Sequence, residues 1–197
     1  MTPRTDPRAL VALFMASALP VMAGDLAIRP EDQARLDALP ASFGAAMIEA
    51  YAGGNPDDLA AVARVMAGPA RAVGLRDLAG DWTCRVIKIG GITPITVYDS
   101  FRCRIGADGS FEKLTGSQRT RGRITQQDDA LIYLGTSFVA GEVAPDYASL
   151  PPVTDPNALP QHFPDVARVE SAGPDRARML FPAPWLESRF NLLELTR

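Results

Sequence analysis

From Gly80 onward the chain alternates apolar and polar residues in eight short runs, nearly all joined by tight turns. The runs are residues 82–89, 96–105, 110–114, 118–125, 130–139, 166–171, 177–182 and 190–197. Parallel neighbours need a crossover of about a dozen residues or more. Only residues 144–164 offer that length, and their many prolines mark a surface excursion. Asp108-Gly109, the stretch 126–129 and Gly173-Pro174-Asp175 are hairpin turns. The expected fold is mainly β with N-terminal helices (α+β): an antiparallel up-and-down β-barrel of about eight strands, or a half-barrel.

The two cysteines, Cys84 and Cys103, fall in the first two runs and serve as a ruler. Setting them directly opposite puts Trp82 against Ile105 and Val86 against Phe101. Side chains alternate strictly between faces, so all six then share one apolar face. Asp81, Thr83, Arg85, Arg102 and Arg104 fall on the other. A register chosen only to pair the cysteines yields one apolar and one charged face, which supports a disulfide rather than two buried thiols. A metal site on the pair lacks any nearby histidine.

The first 74 residues have a different character. Arg4 and Arg8 precede an apolar stretch, residues 9–19, with small residues at Val21 and Ala23. That layout is a cleavable secretory signal over residues 1–23, with an apolar run too short to span a membrane. Residues 24–74 form a helical segment. Pro30-Glu31-Asp32 is a helix start, and Pro40 ends or kinks that element. Phe43, Met47, Ile48 and Tyr51 form a stripe that Gly53-Gly54 terminates. Asn55 caps the next helix, whose Leu59, Val62, Val65 and Met66 share a face. Residues 75–197 are the barrel-like domain.

Removing Arg4, Arg8 and Asp6 with the leader leaves 18 basic and 22 acidic residues. This mildly acidic balance argues against nucleic acid as a partner. Of the 20 basic residues only Lys88 and Lys113 are lysine, a bias attributed to a GC-rich genome.

Gly80-Asp81-Trp82 resembles the Gly-x-Trp signature of lipocalin-type barrels. The resemblance implies a tryptophan plugging one barrel end and a basic residue of the last strand, here Arg197, across its ring. A broader resemblance rests on Leu78-Ala79-Gly80-Asp81-Trp82-Thr83-Cys84-Arg85, Phe101-Arg102-Cys103-Arg104-Ile105, Glu112-Lys113-Leu114-Thr115-Gly116-Ser117-Gln118-Arg119 and Leu193-Glu194-Leu195-Thr196-Arg197. These stretches resemble domain-of-unknown-function family 4893, exported proteobacterial proteins. That likeness implies no activity, cofactor or catalytic residue.

Chemistry-bearing patterns are sparse. The single histidine, His162, has no Gly-x-Ser-x-Gly nucleophile elbow to serve, and no phosphate-binding glycine loop precedes a helix. Asp99 and Glu112 or Glu170 could meet inside a barrel and act as acid and base, a pairing that spacing alone does not establish. No enzyme, metal or cofactor is expected. Arg119, Arg121 and Arg123 share one strand face and extend the stripe of Arg102 and Arg104. They form an anion-binding or partner-binding patch or, the preferred reading, a solvated wall paired with acids. Two function classes remain. One is a periplasmic carrier of a small apolar or lipid-like ligand, its candidate contacts being Trp82, Val86, Phe101, Ile132, Tyr133 and Arg197. The other is a protein-interaction module, such as an envelope-associated binding protein. The Gly-x-Trp start and hairpin disulfide also resemble periplasmic inhibitors of secreted metalloproteases. Those present a short N-terminal arm, which the long helical segment here replaces.

Overall fold

Strands β1 (Gly80–Ile89) and β2 (Ile95–Ile105) form the first hairpin of a computed structural model that describes residues 26–71 and 73–197. The predicted signal at 1–23 lies outside the described residues. Cys84 and Cys103 are bonded, with Cα atoms 5.9 Å apart. They are not directly opposite. Trp82 faces Cys103, Cys84 faces Phe101, and Gly80 faces Ile105, a slip of two residues from the expected register. The bond joins diagonal neighbours, because an opposed non-hydrogen-bonded pair brings Cα atoms to about 4.5 Å, at the short edge for a disulfide. A slip of two preserves parity, so the expected faces stand although the pairs do not. Opposite Val86, between Val97 and Ser100, a bulge then adds one residue to β2 and bends that strand.

Strands β3 (Ser110–Lys113), β4 (Gln118–Gln127), β5 (Ala130–Val139), β6 (Phe163–Gly173), β7 (Arg176–Pro182) and β8 (Phe190–Thr196) follow in order. Each pairs antiparallel with the next, and β8 closes onto β1 over Thr83↔Thr196 to Ile89↔Phe190. The result is a closed eight-stranded up-and-down barrel. Strand β3 is short and pairs with β2 only over Cys103–Ile105, so the first half of β2 has no strand neighbour on that side.

One end of the barrel is filled. Trp82, Ile105, Phe111, Ile124, Leu131, Met179 and Leu195 pack inward there, all buried. The Trp82 indole N–H donates to the Leu78 carbonyl (2.8 Å), and the Arg197 guanidinium lies 4.0 Å from its ring centroid. Tyr133 crosses the middle, edge-on to Phe111 (5.3 Å) and Phe181 (6.0 Å). Its hydroxyl needs a glycine beside it, because a Cβ on Gly135 would stand 2.0 Å from that oxygen.

The helices lie outside the barrel. They are α1 (Pro30–Asp37), α2 (Leu39–Gly53) and α3 (Pro56–Met66). Asn55 caps α3 as expected, accepting from the Asp57 amide at 2.8 Å. Ala46, Ala50, Val62 and Val65 bury against Ile87, Ile89, Leu180, Phe190 and Leu192 on the outer wall. The wall is therefore apolar where the helices or the 144–164 excursion cover it, and charged on much of the remainder. The α2 stripe is rotated from expectation: Phe43 and Met47 pack inward, while Ile48 and Tyr51 are each 72% exposed. Alanines let the helix axis approach the sheet, and the larger residues turn to the rim.

Two arginines of β7 fasten α3. Arg178 donates to the Val65 and Gly68 carbonyls (3.1 and 3.4 Å) and pairs with Glu170 (2.7 Å), while Arg176 donates to the Arg64 carbonyl (2.9 Å). Cations here satisfy orphan carbonyls at the negative end of the helix dipole. Glu170 is thus on the outer wall, and Asp99 and Glu112 are exposed, so the imagined interior acid pair does not form. The excursion 144–164 is not wholly superficial. Tyr147 and Leu150 bury against Ile132 and Leu134, which places Ile132 on the outer side of β5. Tyr147 donates to the buried Asp32 of α1 (2.6 Å), and Arg35 completes the link at 2.9 Å.

Candidate functional site

Above Tyr133 the barrel is not filled. A cavity of about 320 Å3 opens at the end where β3 stops short. Its apolar wall includes Val86, Phe101, Phe163, Phe181, Trp185 and Leu193. The Trp185 indole stacks near Phe163 at 6.5 Å, and its buried N–H has no hydrogen-bond partner among the described residues. Inward-facing positions of β1, β2, β6, β7 and β8 supply much of the apolar lining, and β3–β5 with the β7–β8 loop supply the rest.

Both lysines of the chain line this cavity. Lys113, the last residue of β3, is only 6% exposed. Its ammonium donates to the Thr115 and Gln118 carbonyls (2.9 and 2.7 Å) and lies 3.7 Å from the Phe101 ring centroid. Burial, with help from the charges of Arg119 and Lys88, pushes Lys113 down to about 8. Gly116 leaves room for it, since a Cβ there would stand 2.7 Å from Nζ. Lys88 reaches the mouth of the cavity, where it pairs with Glu187 and donates to Gln118 Oε1 (2.7 Å). Gln118 in turn donates to Glu187 (3.0 Å), closing a three-membered polar ring between β1, β4 and the β7–β8 loop. The Lys88 hydrogen bond holds the Glu187 carboxyl below its ordinary value.

One carboxylate sits in the opposite wall. Asp165 of β6 loses hydration there, which pushes it up to about 6, while the Thr120 hydroxyl and the Arg35 charge act the other way. Thr120 also shares a hydrogen bond with Tyr133 (2.6 Å), so a polar line runs from the barrel core to the cavity.

Of the residues expected to meet a ligand, Val86 and Phe101 line the cavity. Trp82 and Tyr133 are packed in the core below it, and Arg197 seals the closed end from outside. The expected arginine patch is mostly paired. Arg104 meets Asp81 (2.6 Å), Arg121 meets Asp146 (3.2 Å) and Arg123 meets Asp108 (3.6 Å). Arg102 is exposed, and Arg119 lies at the cavity rim with Nε on the Gly116 carbonyl (3.1 Å). Sequence reasoning missed Lys88, Lys113 and Asp165. The one signal for the lysines was their rarity, which composition alone gave no reason to locate.

The profile of the family Domain of unknown function (DUF4893) matches residues 25–195, and the chain belongs to that family. Searches of curated proteins and of solved structures gave no match.

Proposed function

We propose that this DUF4893 protein is an exported, non-enzymatic binding protein that carries a small apolar or lipid-like ligand in the open half of its barrel. The observation that carries this reading is the cavity, about 320 Å3, walled largely by aromatic and aliphatic side chains. Clefts of roughly 300–1,000 Å3 with apolar walls and a few placed polar groups are where small molecules bind. The leader pattern at residues 1–23 and the Cys84–Cys103 bond support a periplasmic setting.

Native mass spectrometry of protein purified from its own periplasm, with titration by the neutral fluorophore N-phenyl-1-naphthylamine, tests the reading. A retained small molecule, or saturable uptake of one fluorophore per chain, is expected. An apo mass with no saturable uptake overturns it.

A protein-interaction role is the second reading, favoured by the exposed Ile48 and Tyr51 on α2. Under it, Ile48→Glu with Tyr51→Glu abolishes crosslinking to a partner and leaves fluorophore uptake unchanged.

A further inference from the structure

We infer that the ligand of this cavity is an amphipathic monoanion, its carboxylate head held by Lys113 and Arg119 and its apolar body against Phe181, Leu193 and Trp185. The inference rests on the carrier reading and deepens it. Lys88 is already neutralised by Glu187, so the uncompensated charges of the cavity are Lys113, Arg119 and Asp165. Neither Lys113 nor Arg119 has a carboxylate within salt-bridge distance among the described residues. The balance is one excess positive charge, which a single carboxylate matches.

The geometry around Lys113 points the same way. An ammonium has three N–H donors. Two serve the Thr115 and Gln118 carbonyls, and no oxygen or nitrogen among the described residues takes the third. A cation this buried without a counter-ion is costly, and an incoming carboxylate supplies the missing partner as a charge-assisted hydrogen bond. Apart from Lys88, every other basic residue of the chain is arginine, whose planar fork is larger than an ammonium. Lysine here is a compact point charge that fits beside Gly116 and over Phe101. A head at this position lies at the cavity edge where β3 ends, so the apolar body extends inward along Phe181 and Leu193. Asp165 lies on β6 and repels any second negative charge, which favours a monoanion over a dianion.

Isothermal titration with decanoate, 1-decanol and decyltrimethylammonium, repeated on Lys113→Met and Arg119→Gln, tests the inference. Decanoate is expected to bind the unmodified protein about tenfold or more tightly than decanol. Each substitution is expected to reduce that preference and leave decanol affinity within about twofold. Equal binding of decanoate and decanol, or tighter binding of the ammonium, overturns the anionic head while the carrier reading stands. No binding of any of the three overturns both. The comparison on the unmodified protein decides the matter even where Lys113→Met does not fold.

Discussion

Arg197 at the end of β8 stacks its guanidinium 4.0 Å from the Trp82 ring at the start of β1, so the last strand locks onto the first. Its Nη2 also reaches the Asp77 and Ala79 carbonyls, both at 3.1 Å. An exposed cation–π contact contributes about 0.5–1 kcal/mol. Arg197→Ala is therefore expected to lower unfolding free energy by about 1 kcal/mol in urea titrations, with no change in fluorophore uptake. Loss of uptake at unchanged stability contradicts the assignment of Arg197 to the closed end.

The Cys84–Cys103 bond closes a loop of 19 residues in sequence. The chain-entropy argument gives about 3 kcal/mol for a loop of this size, less where neighbouring strands already order the hairpin. The double substitution Cys84→Ala/Cys103→Ala is expected to cost about 2–3 kcal/mol, read from urea midpoints at equal m-value. A cost under a few tenths would mean the closed barrel alone fixes this hairpin.

Arg178 is the buried cation that joins Glu170 to the end of α3. Removing one partner of a buried pair leaves the other charge uncompensated, at about 3–5 kcal/mol. Arg178→Met is expected to destabilise by about that amount, and adding Glu170→Gln to recover part of it. A double-mutant cycle measures the coupling, and strict additivity of the two losses argues against the pair.

Asp165 has a folded-state value raised to about 6 from the ordinary 3.8. Between those two values the folded chain holds more protons than the unfolded one, so stability falls as pH rises. The penalty is absent below about pH 4, grows through pH 6 and is full above it. Asp165→Asn removes the charge, and is expected to flatten the pH 4–6.5 slope and raise stability at pH 7.5 by about 1–3 kcal/mol. Calorimetric melting temperatures across that range check the sign, and a less stable variant at pH 7.5 refutes it.

Strand existence was legible because turn residues punctuate the chain, and all eight runs became strands. Register was less so. Parity is written in the alternation, but a slip of two leaves every face intact, and only the preferred spacing of bonded cysteines distinguishes the two. The bulge in β2 between Val97 and Ser100 has no residue signature. The extra residue on β2 reverses its alternation, so Ile95 and Val97 join the helix-covered wall while Phe101, Cys103 and Ile105 face the interior. On α2, hydrophobicity pointed to Ile48 and Tyr51, yet close packing selected Ala46 and Ala50. The cavity was the least legible part. Lys113, Lys88 and Asp165 come from β3, β1 and β6, and only closure of the barrel brings them around one space.

The confinement of both lysines to one cavity has a practical corollary for covalent chemistry. Apart from its α-amino group, the chain offers amine-directed reagents only these two side chains. Acylation, reductive methylation and amine crosslinking therefore act on the cavity and its mouth rather than on a broad protein surface. The depth of Lys113 makes its modification rate a gauge of whether that space is filled, with no engineered label. By the same token, lysine-based coupling to a sensor surface would perturb the region such an experiment sets out to measure.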